Sequence, residues 1–220
     1  MMNKKLITIS IITLLQLAAV FAYIFIIADT DKQENKNHIN YDESFSQADS
    51  EYYVYFYAEN CEGCNSISDK IKEYVELKTT PIYFVKMDDE YNVNAWYNWN
   101  NHCRNNDIEI GSIDKSGNIV FYSGESMEKY QNGTIKNKFG QVIDFEILIA
   151  DEDYIRKNSN ALLGKVYAHN DTFEIDLLNT KEKDIKIPGI PLMLHIVDGK
   201  VTEYLYDLEI NEFLASNLGE

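Results

Sequence analysis

The sequence contains only three cysteines and three prolines among its 220 residues. Three cysteines exclude a scaffold held together by several disulfides, which small exported domains use in place of a large core. Bases are also scarce: beyond Lys4 and Lys5 the chain carries 18 of them against 36 acids. We therefore expect no nucleic-acid partner, because phosphates would be repelled. Apolar residues make up 45% of the chain, which is enough for a folded core.

One long segment, residues 6–27, carries no charge at all. A helix of 22 residues spans about 33 Å, enough to cross a bilayer. Two lysines precede the segment and acids follow it, so the positive-inside bias predicts a cytoplasmic tail at 1–5 and an extracytoplasmic C-terminal part. A cleaved signal peptide is the alternative, but its apolar region is normally shorter and ends in small residues. This one ends in Phe25-Ile26-Ile27, so we predict an uncleaved single-pass anchor in the cell membrane.

After the anchor, residues 28–49 are polar and predict a flexible linker, followed by a folded domain over 50–220. Tyr52–Tyr57 is an aromatic and β-branched run, which is typical of a buried strand. Cys61-Glu62-Gly63-Cys64 comes next, and the apolar residues after it recur at helical spacing. A second apolar run, 82–86, completes the unit. The order strand, CxxC, helix, strand predicts a βαβ unit with the cysteines at the helix N-terminus.

The C-terminal end predicts a hairpin and a helix. Leu192–Val197 and Lys200–Tyr206 are apolar strands on either side of Asp198-Gly199, a strong two-residue turn signal. Glu209–Asn217 follows with helical periodicity. Residues 92–186 lie between the two patterned ends, and we predict an inserted α+β subdomain there, because structureless loops of that length are rare.

Two segments together resemble the thioredoxin superfamily. YVYFYAENCEGC is similar to the strand that runs into the family's active-site CxxC, and GIPLMLHIVDGKV is similar to its cis-proline strand and hairpin. The resemblance covers 50–91 and 187–217, and it implies a thioredoxin-like α/β (α+β) fold, a central mixed sheet flanked by helices. It places Pro191 at the cis-proline position. It further implies that the backbone of Ile190, beside Pro191, pairs with an extended substrate.

The chain also departs from the family pattern. Tyr55 occupies the position where many thioredoxins carry a buried acid, and Asn60 replaces the usual tryptophan before the first cysteine. The dipeptide between the cysteines is Glu62-Gly63. These differences concern the redox class of the protein more than its fold.

The resemblance implies a thiol–disulfide oxidoreductase that needs no cofactor. A thiolate attacks disulfides, and the partial positive charge at a helix start stabilises it. Cys61 is therefore the predicted nucleophile, and Cys64 is the residue that resolves the mixed disulfide. Glu62 places a negative charge beside Cys61, so we expect a reductase or isomerase of protein disulfides. A reduction potential near about −120 mV, typical of strong oxidants, would contradict this expectation.

Other functions remain open at the level of the sequence. One alternative function is that of a redox-inactive binding or assembly module at the cell surface. A minor alternative is a Cys₃His zinc site made of Cys61, Cys64, His102 and Cys103, although adjacent His102 and Cys103 lack the usual spacing of a ligand pair. Cys103 is otherwise a small buried residue or a third redox partner. A reductase outside the membrane would need electrons from a separate membrane electron carrier.

Overall fold

The computed structural model describes residues 37–78, 80–180 and 185–219. These residues form eight strands and five α-helices. The strands are β1 Glu51–Tyr57, β2 Ile82–Lys86, β3 Ile108–Ile113, β4 Ile119–Phe121, β5 Phe145–Ile149, β6 Lys165–Asn170, β7 Leu192–Val197 and β8 Lys200–Tyr206. The helices are α1 Glu62–Leu77, α2 Trp99–Asn106, α3 Met127–Gln131, α4 Glu152–Lys157 and α5 Asp207–Leu218.

The first sheet has the strand order β2-β1-β7-β8. It is mixed, because β1 is parallel to β2 and antiparallel to β7, and β7 is antiparallel to β8. Successive side chains of a strand point to opposite faces, and the aromatic run of β1 follows this rule. Tyr52, Val54 and Phe56 enter one buried layer, while Tyr53 and Tyr55 enter the other. The central strand is therefore apolar on both faces.

Both faces of this sheet are covered. Helices α1 and α5 pack on one face through Ile67, Ile71, Tyr74, Ile210 and Leu214. The other face is covered by residues outside the predicted βαβ and hairpin units, namely Ala95, Leu177, Ile185 and Ile187. The chain is thus a mixed α/β protein whose inserted segment contributes to the core of the first sheet.

The predicted hairpin is confirmed, with β7 and β8 on either side of Asp198 and Gly199. Both turn residues have positive φ, 49° at Asp198 and 72° at Gly199. Two-residue hairpin turns of this kind match the right-handed twist of the flanking strands, and Gly adopts a positive φ without steric cost. The turn sequence therefore sets the register of the hairpin.

A second sheet lies within the segment predicted as an inserted α+β subdomain. Its order is β4-β3-β6-β5, and all its pairs are antiparallel. A small core of its own includes Ile110, Tyr130, Phe145, Val166 and Ala168. The ends of the segment meet at the first sheet, where Ile187 N–H donates to Ala95 O at 2.8 Å and Tyr97 N–H donates to Ile187 O at 3.0 Å.

The predicted linker is wrong over its second half. Residues 37–49 pack against the first sheet: Phe84 N–H donates to Asn37 O at 2.8 Å, and Ile39 N–H donates to Phe84 O at 3.0 Å. Ile39, Tyr41 and Phe45 are partly buried against the core. These three apolar residues hold the otherwise polar segment on the first sheet, because each of them packs against the buried core.

The remaining N-terminal predictions lie outside the described residues. These are the cytoplasmic tail, the transmembrane anchor at 6–27 and the first part of the linker. Within the described ranges, no helix combines the length and the apolar character needed to cross a membrane.

We predict that the same substitution has opposite consequences at a buried and an exposed leucine. Leu194 in β7 is fully buried, so Leu194→Ala should lower the free energy of unfolding by about 2–5 kcal/mol through lost burial and a cavity. Leu77 at the end of α1 is 63% exposed, so Leu77→Ala should change the free energy of unfolding by less than about 0.5 kcal/mol. Urea denaturation of the full chain in detergent measures both. Equal losses would contradict the position of β7 at the centre of the core.

Candidate functional site

The two cysteines of the CxxC motif lie at the start of α1. Cys61 is the N-cap residue, with an extended backbone, and its sulfur accepts a hydrogen bond from Cys64 N–H at 3.1 Å. Cys61 and Cys64 are joined as a disulfide with their Cα atoms 5.2 Å apart. Cys61 is partly exposed, whereas Cys64 is only 3% exposed. A partner can therefore reach Cys61 and not Cys64.

Strand β1 and helix α1 fix this position. The strand ends at Tyr57, and the helix is held to the sheet by the buried residues Ile67 and Ile71. The Cys61 carbonyl accepts from Asn65 N–H at 3.0 Å, the first hydrogen bond of the helical ladder. The unpaired N–H groups at a helix start carry a partial positive charge, so the fold directs that charge at Cys61.

Pro191 from the far end of the chain lies against the same helix turn. A Cβ placed on Gly63 would sit 3.1 Å from Pro191 Cδ, so the absence of a side chain at Gly63 permits this close approach. The Ile190–Pro191 peptide bond is cis. Within the described part of the chain, the main-chain N–H and C=O of Ile190 make no hydrogen bond. Both groups are therefore unpaired within the described residues.

Asp207 is a site residue that sequence reasoning missed. The same Cβ position on Gly63 lies 3.2 Å from Asp207 Oδ1, and Asp207 N–H faces Pro191 O at 3.5 Å. Asp207 belongs to no motif; the one signal is its place as the first residue of α5 after the predicted strand β8. The Asp207 carboxylate therefore lies beside the turn between the two cysteines, in addition to the Glu62 side chain within that turn.

The residue at the expected position of a buried acid is Tyr55, which is buried. Its hydroxyl has no hydrogen-bond partner among the residues that the structure describes. Burial raises the pKa of Tyr55, and the nearby Tyr57 and Asp207 raise it further. Tyr55 therefore stays neutral at physiological pH, and the carboxyl group beside Gly63 belongs to α5 and not to β1.

The Cys₃His zinc site is not formed. Cys61 and Cys64 are bonded to each other, and the His102 ring is engaged elsewhere: Nδ1 lies 2.8 Å from Tyr97 Oη and Nε2 lies 2.9 Å from Asn170 O. Adjacent residues on a helix point in different directions, so His102 and Cys103 do not face one partner. Cys103 is a free, partly buried thiol that lies near Asp107 and His169.

Comparison with known proteins does not assign a family. No protein-family model matches the sequence, and no curated protein matches it either. The arrangement of five residues is therefore the basis for inferring a function: Cys61, Cys64, Ile190, Pro191 and Asp207.

We predict that Asp207→Asn lowers the pKa of the Cys61 thiol in the reduced protein. Removal of a negative charge beside the helix start favours the thiolate, and solvent exposure of Asp207 keeps the change modest. The pH dependence of alkylation at Cys61 measures this pKa, in a Cys103→Ser background so that a single accessible thiol reacts.

Glu212→Gln is the matched control, because Glu212 is an exposed carboxylate of the same helix, beyond its first turn. It should leave the alkylation profile unchanged. A Cys61 pKa that does not respond to Asp207→Asn, or that responds equally to both variants, would contradict the position of Asp207 in the site.

Proposed function

We propose that this protein is a thiol–disulfide oxidoreductase with a thioredoxin-like core, acting on protein disulfides through Cys61 and Cys64. The observation that most supports this proposal is a contact between two distant parts of the chain. The Cys61–Cys64 pair lies at the start of α1, and Pro191 lies against Gly63 between the two cysteines. The strand order β2-β1-β7-β8, with α1 and α5 on one face, supports the same fold.

The two cysteines have different roles in the proposed reaction. In the reduced protein the Cys61 thiolate attacks one sulfur of a substrate disulfide, which forms a mixed disulfide and releases one substrate thiolate. Cys64 then loses its proton and attacks the Cys61 sulfur. This step releases the second substrate thiol and leaves the Cys61–Cys64 disulfide, the state that the structure describes. The substrate gains two electrons and the protein loses two.

An extended substrate segment has a place to bind beside the disulfide. The main-chain groups of Ile190 are free among the described residues, and Ile190 lies two residues before the start of β7. A peptide that pairs with them would add main-chain hydrogen bonds next to Cys61, as in β-strand addition. This contact uses the backbone of the substrate and therefore suits protein disulfides of varied sequence.

The charges near Cys61 favour reduction or isomerisation over strong oxidation. Glu62 is exposed in the first turn of α1, and the Asp207 carboxylate lies beside Gly63. Strong oxidants of this chemistry owe their potential to a stabilised thiolate. Two carboxylates near the nucleophile oppose that stabilisation.

The sequence of the N-terminal segment supports an extracytoplasmic location for the redox domain. We propose a single-pass protein of the cell membrane, anchored by residues 6–27, with a cytoplasmic N-terminus and an extracytoplasmic redox domain. A reductase there consumes two electrons per disulfide. The proposal therefore includes a separate membrane electron carrier as the donor that returns the Cys61–Cys64 pair to the dithiol.

We predict that the full chain in detergent accelerates the reduction of insulin disulfides by dithiothreitol. The Cys61→Ser, Cys64→Ser double variant should fall to the uncatalysed rate, because it lacks both the nucleophile and the resolving thiol. Cys103→Ser is the matched control, since it removes the remaining cysteine outside the CxxC pair and should retain the wild-type rate.

Equal rates for the wild type and the double variant would overturn the proposed function. That result would favour the alternative of a binding or assembly module whose CxxC takes no part in exchange. Loss of activity in Cys103→Ser alone would place the redox chemistry at a different sulfur.

A further inference from the structure

A second group of chemically active side chains lies in the inserted segment. Cys103 is in the last turn of α2, Asp107 directly follows that helix, and His169 is on β6. The Cys103 sulfur, an Asp107 carboxylate oxygen and a His169 ring nitrogen all lie within 4.8 Å of one another. Within the described ranges, this is the one group of at least three such residues with that spacing. No step of the proposed disulfide exchange uses it.

The carboxylate of this group is held in a fixed orientation. The Asp107 side chain is 1% exposed, and its oxygens accept from Tyr154 Oη and from Asn170 N–H, the latter at 3.0 Å. His169 Nδ1 lies 2.9 and 3.0 Å from the two Asp107 oxygens. Carboxylates that bind metals in proteins are themselves held by hydrogen bonds of this kind.

The residue types in this group are ones that bind zinc in proteins. A thiolate, an imidazole and a carboxylate are ligands of Zn²⁺. Bound as a thiolate and a carboxylate, Cys103 and Asp107 would supply two negative charges that the dication neutralises. The His169 side chain is 17% exposed, so solvent reaches the group at His169, and a water molecule would fill the fourth position.

We propose that Cys103, Asp107 and His169 bind a zinc ion, with solvent as the fourth ligand. The ion would tie the end of α2 to β6, in the subdomain that carries the second sheet. It would also hold Cys103, the free cysteine of the oxidised chain, as a metal ligand. Cys103 would then be unable to enter exchange with the Cys61–Cys64 disulfide.

The competing interpretation is a metal-free His169–Asp107 ion pair with the Cys103 thiol as its neighbour. The hydrogen bond that His169 donates to the Asp107 carboxylate, with a smaller contribution from Cys103, raises the pKa of His169 to about 10. The ring is therefore protonated at neutral pH in the metal-free protein, and a bound metal must displace that proton. Direct metal titration separates the two interpretations.

The probe is Co²⁺, which reports thiolate coordination by a charge-transfer absorption band. The full chain is used in detergent, without a histidine tag and with the Cys61–Cys64 disulfide formed, so that Cys103 is the one thiol present. We expect one equivalent of Co²⁺ to produce the band and Zn²⁺ to abolish it. Cys103→Ser should lack the band, and Asp107→Asn and His169→Gln should each weaken binding by about tenfold or more.

His195→Gln is the matched control. His195 also has a carboxylate neighbour, Glu51 at 3.0 Å, but it lies in the first sheet without a nearby cysteine. Its substitution should leave the titration unchanged. A second measurement needs no variant: Zn²⁺ should slow alkylation of Cys103 in the wild-type chain.

The proposal is overturned if Co²⁺ in molar excess gives no thiolate band and Zn²⁺ leaves the alkylation rate of Cys103 unchanged. A band that persists in Asp107→Asn and His169→Gln would overturn the assigned ligand set. None of these outcomes bears on the insulin assay, because that assay tests Cys61 and Cys64.

Discussion

The antiparallel pairing of β1 with β7 is the constraint on which the candidate site depends. Phe56 near the end of β1 pairs with Leu192, the first residue of β7. In an antiparallel pair the end of one strand lies beside the start of the other. Since β1 leads into Cys61 and β7 directly follows Pro191, this one register brings the CxxC turn and the proline together from opposite ends of the domain. Shifting the register by one residue would reverse the faces of both strands.

The large insertion is compatible with this pairing because its ends are joined. Ala95, Trp96 and Tyr97 run alongside Ile187, with two backbone hydrogen bonds and a β-bridge. The chain therefore leaves the first sheet and returns to it at one place, and the intervening segment adds its own antiparallel sheet. Leu177, Ile185 and Ile187 then bury the sheet face opposite α1 and α5. The insertion is thus part of the core of the first sheet as well as a subdomain.

Local patterns predicted much of this architecture. The aromatic run of β1, the helical spacing after the CxxC and the Asp198-Gly199 turn each depend on neighbours within a few residues, and the structure has the corresponding elements. The resemblance placed Pro191 next to the CxxC, and Gly63 is where they meet.

Other features depend on contacts between distant residues. Ile39 and Tyr41 are isolated in a polar segment. They pack against core residues that are distant in the sequence, so no local pattern indicates that they are buried. Asp107 and His169 are 62 positions apart, and Asp207 belongs to no motif. No spacing rule connects such residues, because the tertiary fold alone brings them together.

The proposed disulfide exchange requires that the sulfur of Cys61 attacks the substrate and that the sulfur of Cys64 resolves the mixed disulfide. Trapping of the intermediate tests this division of roles. Full-length Cys64→Ser in the reduced state, mixed with a peptide disulfide, should accumulate a mixed disulfide that mass spectrometry locates on Cys61, whereas the wild type should release it. An adduct on Cys103, or no stable adduct on Cys61, would contradict the account.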